Sequence, residues 1–250
     1  MGRYLALLLA LIAGSWIAFT DQLLPEPTPV SAPATAFSGD RAFADVSLLA
    51  TAPHPVGSVR NAEVRDLIVR RMTELGLSPQ IRPGTGVQVP RRSTDTVVAG
   101  HVENIVGVLP GRDRSAPALA LMAHYDSVAA SPGAADDIMG VAAILETARA
   151  INARGKPARD VMLVITDGEE AGLLGANHFF KRDPLARRIG LTINVEARGS
   201  GGRVQMFQTS PANGGLIDLY QRTAKRPASS SLAVLIYEKM PNDTDLTETL

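Results

Sequence analysis

Four short segments carry residues that could do metal-assisted chemistry: His124-Tyr125-Asp126, Ala134-Ala135-Asp136-Asp137, Asp167-Gly168-Glu169-Glu170 and Asn194-Val195-Glu196. A histidine two residues before an aspartate can offer one ring nitrogen to a metal while the aspartate holds the other, which fixes the tautomer. On its own this pairing is also an ordinary capped strand end. Asp137, entering a helix, reads as an N-cap. Asp136, one step earlier, is free to face a crevice, and a carboxylate there can bridge two ions. Two adjacent glutamates at a helix start suit the positive end of its dipole. They also point in different directions, so one can bind metal while the other takes a proton from the attacking water and returns it to a leaving amine. Glu196 follows the apolar run 191–195, where a carboxylate buried without a partner would be costly. A metal ion supplies that partner.

The elements that must position these groups follow from hydrophobic period. Val64, Leu67, Ile68 and Met72 fall at helical spacing and predict a helix over 58–75, ended by Gly76. Strands are expected at 96–100 and 104–109, the second closed by Pro110-Gly111. The run at 118–123 reads as a strand buried on both faces, 161–165 as another short apolar run, and 191–195 as a third central strand. Helices are expected at 137–153, 171–181 and 214–225, and a fourth strand at 203–208. Strand alternating with helix is the pattern of an α/β domain with a mostly parallel sheet covered on both sides. In such sheets functional groups collect beyond the carboxyl ends of the strands. That rule selects His124, then Asp167, Glu169 and Glu170, then Glu196.

Composition narrows the chemistry. The chain has no cysteine, which excludes disulfides, iron–sulfur clusters and thiolate-held zinc, so any metal rests on His, Asp and Glu. Its formal net charge is zero, and no nucleic-acid partner is expected. Pro90-Arg91-Arg92 reads as a solvated loop, and His54 and His101 as structural histidines.

The N-terminus stands apart. Arg3 precedes an apolar run from Tyr4 to Phe19, and no further charge appears before Asp21. Residues 1–23 are expected to be a signal-anchor, or a signal peptide, and 24–38 a Pro/Ala-rich linker. The domain then covers 39–250. With Arg3 on the short side, that domain is expected outside the cytoplasm, periplasmic or lumenal, and tied to the membrane by the N-terminal helix.

HYDS, GAADD, DGEEAGLLG and NVEARGSGG, in this order and spacing, resemble the co-catalytic zinc exopeptidases, which include bacterial aminopeptidases, glutamate carboxypeptidase and glutaminyl cyclases. APHPVGS at 52–58 and NDTD at 242–245 look like the membrane-bound endoplasmic reticulum metallopeptidase (Fxna-like) branch. The resemblance implies a three-layer α/β sandwich with a central mixed, mostly parallel sheet. It implies two zinc ions and a peptide substrate. His124 and Glu196 would hold one zinc, Asp136 would bridge, Glu170 would hold the second, Glu169 would be the general base, and Asp126 would steady His124. A cis peptide after the bridging aspartate, Asp136–Asp137, is part of the same pattern. The pattern also has a distal histidine on the second zinc, and no histidine follows His178. The sequence therefore reads as truncated at its C-terminus, with the last sheet elements expected beyond Leu250. Several soluble aminopeptidases have Asp where Glu196 stands, which leaves the terminal specificity open. Besides an aminopeptidase-like exopeptidase, two readings stay open: a catalytically inactive, membrane-anchored binding relative, and a glutaminyl cyclase-like transferase working with one zinc.

Overall fold

The computed structural model describes residues 2–89, 95–197, 202, 204–241 and 243–250. The loop at Pro90-Arg91-Arg92, most of the Arg198–Gly202 stretch, Arg203 and Asn242 of the NDTD segment lie outside the described residues. Residues 27–199 and 241–250 make one compact unit, and residues 1–26 and 200–240 another.

The larger unit is built on a five-stranded sheet. Its elements, in chain order, are α2 (Gly39–Leu49), α3 (Val59–Glu74), β1 (Gln80–Gln88), β2 (Val98–Leu109), β3 (Ala118–His124), α4 (Met139–Ala153), β4 (Val161–Thr166), α5 (Leu174–Arg182) and β5 (Ile189–Asn194), after α1 (Gly2–Gln22) of the other unit. The strand order is β1-β2-β4-β3-β5. β3, β4 and β5 run parallel, β2 runs antiparallel to β4, and β1 antiparallel to β2. Four strands therefore share one direction, and the sheet is mixed and mostly parallel, as expected. The register sets His124 beside Thr166 and Met122 beside Asn194, which brings the ends of three strands to one edge.

Alternation in β3 and β4 divides the core into two layers. Leu121, Ala123, Leu163 and Ile165 pack under α3 and α4 with Val64, Ile68, Val141 and Leu145. Ala120, Met122, Met162 and Val164 pack on the other face with Phe179 of α5. All six residues of β4 are buried. Each fully buried large apolar side chain contributes about 1.5–3 kcal/mol. That burial holds the strand ends in place.

Several elements differ from expectation for identifiable reasons. The strands expected at 96–100 and 104–109 are one strand, because β2 pairs without a break with β1 from Val98 to Val106. β1 itself is hidden in the sequence by Pro83, Gly84 and Gly86. It is an edge strand, where proline removes no needed ladder bond. α2 starts at an N-cap, Ser38, whose side chain accepts from Arg41 N. Buried Glu146 on α4 meets Arg41 at 3.0 Å and Arg149 at 2.6 Å, and accepts from Ser38 N at 2.9 Å. The helix expected at 171–181 begins only at Leu174, since Gly168, Gly172 and Leu173 adopt positive φ. Five residues of tight turn, Ala134–Ile138, precede α4, and the Asp136–Asp137 peptide is cis.

In the smaller unit, α1 is long and apolar enough over Gly2–Thr20 to cross a membrane, and none of that window is buried. α6 (Gly214–Thr223) and α7 (Ser231–Lys239) follow. Within the stretch expected to be a strand at 203–208, the described residues form no strand, only a single bridge from Met206 to Ser229. Phe207 packs instead on Tyr237 of α7, ring centroids 5.0 Å apart.

One contact links the fold to the loop after β4. A Cβ on Gly175 would fall on the Asp167 carbonyl and the Asn104 side chain, and 2.7 Å from Asp167 N. Asn104 meanwhile donates to the Gly175 carbonyl and accepts from Asp167 N, at 2.9 and 3.0 Å. Backbone on this side leaves no room for a methyl group. Gly175→Ala is expected to destabilise the protein by about 2–3 kcal/mol, measured by urea denaturation.

Candidate metal centre

His124 ends β3 with 1% of its surface exposed. Its Nδ1 lies 3.0 Å from the Asp126 backbone carbonyl and 3.4 Å from Asp126 Oδ1. A carbonyl only accepts, so Nδ1 carries a hydrogen and Nε2 faces the crevice. There Nε2 meets Asp136 Oδ1 at 3.0 Å and Glu196 Oε1 at 3.7 Å. Burial works against a charged ring. The carboxylates of Asp126, Asp136 and Glu196 outweigh it and hold the imidazole well above its usual range.

Asp126 does more than the sequence pattern assigns to it. Its Oδ1 accepts from Glu169 N at 2.9 Å and its Oδ2 from Glu170 N at 3.2 Å. One buried carboxylate thus joins the end of β3 to the turn after β4. That turn is held from behind by Asp167, which accepts from Asn61 Nδ2 at 3.2 Å and from Glu103 N at 3.0 Å. Burial pushes Asp167 up to about 6.

The turn before α4 is forced by its neighbours. Gly133 sits at φ 66°, and a Cβ there would meet Asp136 O and Ser127 Cβ, each at 2.9 Å. His54, fully buried, packs beside it. Ser127 Oγ accepts from His54 N at 2.9 Å, and His54 Nδ1 donates to the Ala52 carbonyl at 2.9 Å. His54 therefore braces this loop, in keeping with a structural histidine, while His101 lies exposed on β2. Ile138 holds the N-cap position of α4, and Asp137, one residue earlier, accepts from Gly140 N through its Oδ1 at 3.2 Å.

The other oxygen of Asp137 is buried with no hydrogen-bond partner among the described residues. His124, Asp137 and Glu196 each offer an atom within 4.8 Å of the others, spacing suited to a cation. Asp136 and Glu170 lie on the exposed side. Burial, then Asp136, raises Glu170 above the usual carboxylate range. Glu169 is half-buried. Burial, followed by the charges of Asp245, Glu196 and Asp126, pushes it up to about 10 against the pull of His124. In the sequence Asp245 is one more acid of the NDTD segment, and only its burial reveals its chemistry.

The segment 104–248 matches peptidase family M28. The chain belongs to that family. A vacuolar membrane protease of Schizosaccharomyces pombe is 32% identical over 224 residues, covering 82% of this chain and 26% of its own. Endoplasmic reticulum metallopeptidase 1 of Mus musculus is 37% identical over 148 residues, 58% of this chain and 16% of its own. The chain thus spans about a quarter or less of the length of these curated relatives. Among solved structures, an Acidobacteriales bacterium glutaminyl cyclase superposes with a TM-score of 0.62 at 17% identity, covering 82% of this chain and 76% of that one. A zinc aminopeptidase from Bacillus subtilis superposes at 0.61 and 15% identity, covering 79% and 81%. At these identities the M28 chain shares their fold.

Asp126→Ala leaves two backbone N–H groups of the Glu169-Glu170 turn without an acceptor. It is expected to cost the metal-free protein about 3 kcal/mol, read by urea denaturation. Asp126→Asn, which keeps one acceptor oxygen, should lose roughly half of that.

Proposed function

We propose that this M28 chain carries the catalytic centre of a zinc-dependent exopeptidase, aminopeptidase-like, that hydrolyses terminal peptide bonds. In this reading His124 and Glu196 hold one ion, Asp136 bridges, Glu170 contributes to a second, and Glu169 is the general base. The observation that carries it is the meeting of His124 Nε2 with Asp136 and Glu196 at the ends of two parallel strands. The donor set fits the metal. Imidazole and carboxylates without thiolate suit zinc at a hydrolytic site. Buried carboxylate oxygens of Asp137 and Asp245 without hydrogen-bond partners mark a place where a cation offsets crowded negative charge. Zinc bound there would supply Lewis acidity toward the scissile carbonyl and make the attacking water easier to deprotonate.

The protein's own residues do the rest. The Asp126 carbonyl keeps the His124 hydrogen on Nδ1, so the Nε2 lone pair points at the ligand side. Asp126 and Asn104 fix the turn that presents Glu169. Glu169 takes the proton of the attacking water and passes it to the departing amine. The partner is a peptide with a free terminus. The helix α1 anchors the chain in a membrane, with Arg3 on the cytoplasmic side and the peptidase unit outside. A relative named as a vacuolar membrane protease supports the membrane association.

Glu169→Gln in the full protein should lower kcat on aminoacyl-p-nitroanilides by about 10²–10⁴-fold with bound zinc unchanged. Unaltered turnover would remove Glu169 from the role. Metal analysis of the same preparation checks the count of two ions; a single ion with a cyclised product from N-terminal glutamine would favour transferase chemistry. Deleting residues 1–23 should shift the protein from the membrane pellet to the soluble fraction after cell fractionation.

A further inference from the structure

The segment Asp245–Thr249 forms a short 3-10 helix and contains two acidic side chains three residues apart, Asp245 and Glu248. In that geometry residues at i and i+3 lie on one side. On a surface segment such a pair is ordinarily a solvated acidic edge. Here both are withdrawn from water: Asp245 is 1% exposed and the Glu248 side chain 6%.

Glu248 has a built socket. Its Oε1 accepts from Gln88 Nε2 at the end of β1, and its Oε2 accepts from Asn177 Nδ2 at 3.0 Å and pairs with Lys181 Nζ at 3.0 Å, both on α5. Asn177 is itself fixed, its Oδ1 accepting from Val87 N at 3.3 Å. Three donors from two elements meet one carboxylate, and its burial is fully answered.

Asp245 is not answered in the same way. Its Oδ2 receives the hydroxyl of Thr166, the last residue of β4 and the register partner of His124. Its Oδ1 is buried with no hydrogen-bond partner among the described residues. An acid seated at the strand ends with a bare oxygen is costly unless something positive faces it. Its charge is felt by Glu169, three residues beyond Thr166.

We propose that Glu248 is a positioning residue that keys the C-terminal segment onto β1 and α5 and so holds the Asp245 carboxylate against the metal centre, where it strengthens cation binding. The inference rests on the metal reading above, and its test uses metal affinity, which needs no catalytic turnover. Outer carboxylates of this kind typically contribute about 10–100-fold to affinity.

The experiment is a zinc competition titration with a chromogenic chelator on the full protein, comparing the parent with Asp245→Asn, Glu248→Ala and the double variant. Each single variant should bind zinc about 10-fold or more weakly. If Glu248 acts through Asp245, the double variant should bind no more weakly than Asp245→Asn alone, within about twofold. Hydrogen exchange should show lost protection over 243–250 in Glu248→Ala and retained protection in Asp245→Asn. Should Glu248→Ala fail to fold, Lys181→Met and Gln88→Leu remove single donors from the socket and should show the same dependence on Asp245. Parent-like affinity in Asp245→Asn overturns the proposal while leaving the metal reading intact. Additive losses in the double variant overturn the link between the two residues. A parent protein that binds no zinc overturns this proposal and the metallopeptidase reading together.

Discussion

Around the His124 imidazole stand Asp126, Asp136 and Glu196, with Asp137 close behind them. Like charges at such spacing repel, and burial removes the water that would screen them. A protein free to relax this arrangement would turn the acids outward. Asp136 does so in part, but Asp126, Asp137 and Asp245 stay buried, because each is tied to an element whose position is set by other contacts. Asp126 is held by two backbone N–H groups, Asp137 by the start of α4, and Asp245 by Thr166 and the Glu248 socket. The hydrophobic core maintains the crowding, and a cation is the simplest species that relieves it.

The sheet makes the crowding possible. Parallel pairing of β3 with β4 and β5 delivers three strand ends to one edge, so residues 42 and 72 positions apart in sequence become neighbours, as in His124 with Thr166 and Met122 with Asn194. The antiparallel β2 contributes from its middle, just before the residues that pair with β4. Glu103 N and the Asn104 side chain reach the Asp167 turn because β2 runs against β4 at that point. A fully parallel sheet would have placed those groups at the opposite edge.

Much of this was legible in the sequence. The fully apolar runs of β3 and β4 mark central strands, and the residues just beyond them mark the crevice. What escaped has physical causes. β1 is masked by Pro83 and two glycines, which an edge strand tolerates and a central one does not. α2 follows a Pro- and Ala-rich stretch and is stabilised by distant Glu146, a partner more than 100 residues away that no local window can contain. The second oxygen of Asp137 and the burial of Asp245 belong to tertiary structure alone. An aspartate entering a helix and an acidic pair in a short segment look the same in sequence whether or not they face a histidine.

The centre is asymmetric in a way that bears on how it would work. The side formed by His124, Asp137 and Glu196 is enclosed, whereas Asp136 and Glu170 open to solvent. Enclosed carboxylates cannot be solvated and so favour a cation strongly. Exposed ones already have water and gain less from one. Glu169 is half-buried, with its backbone fixed by Asp126 and its side chain in the field of His124, Asp245 and Glu196. A general base benefits from that position. In the proposed reading the anchored turn presents the Glu169 carboxylate to the attacking water. In the proposed reading, the enclosed half of the centre fixes a cation and the open half admits substrate. The turn anchored by Asp126 holds Glu169 in place.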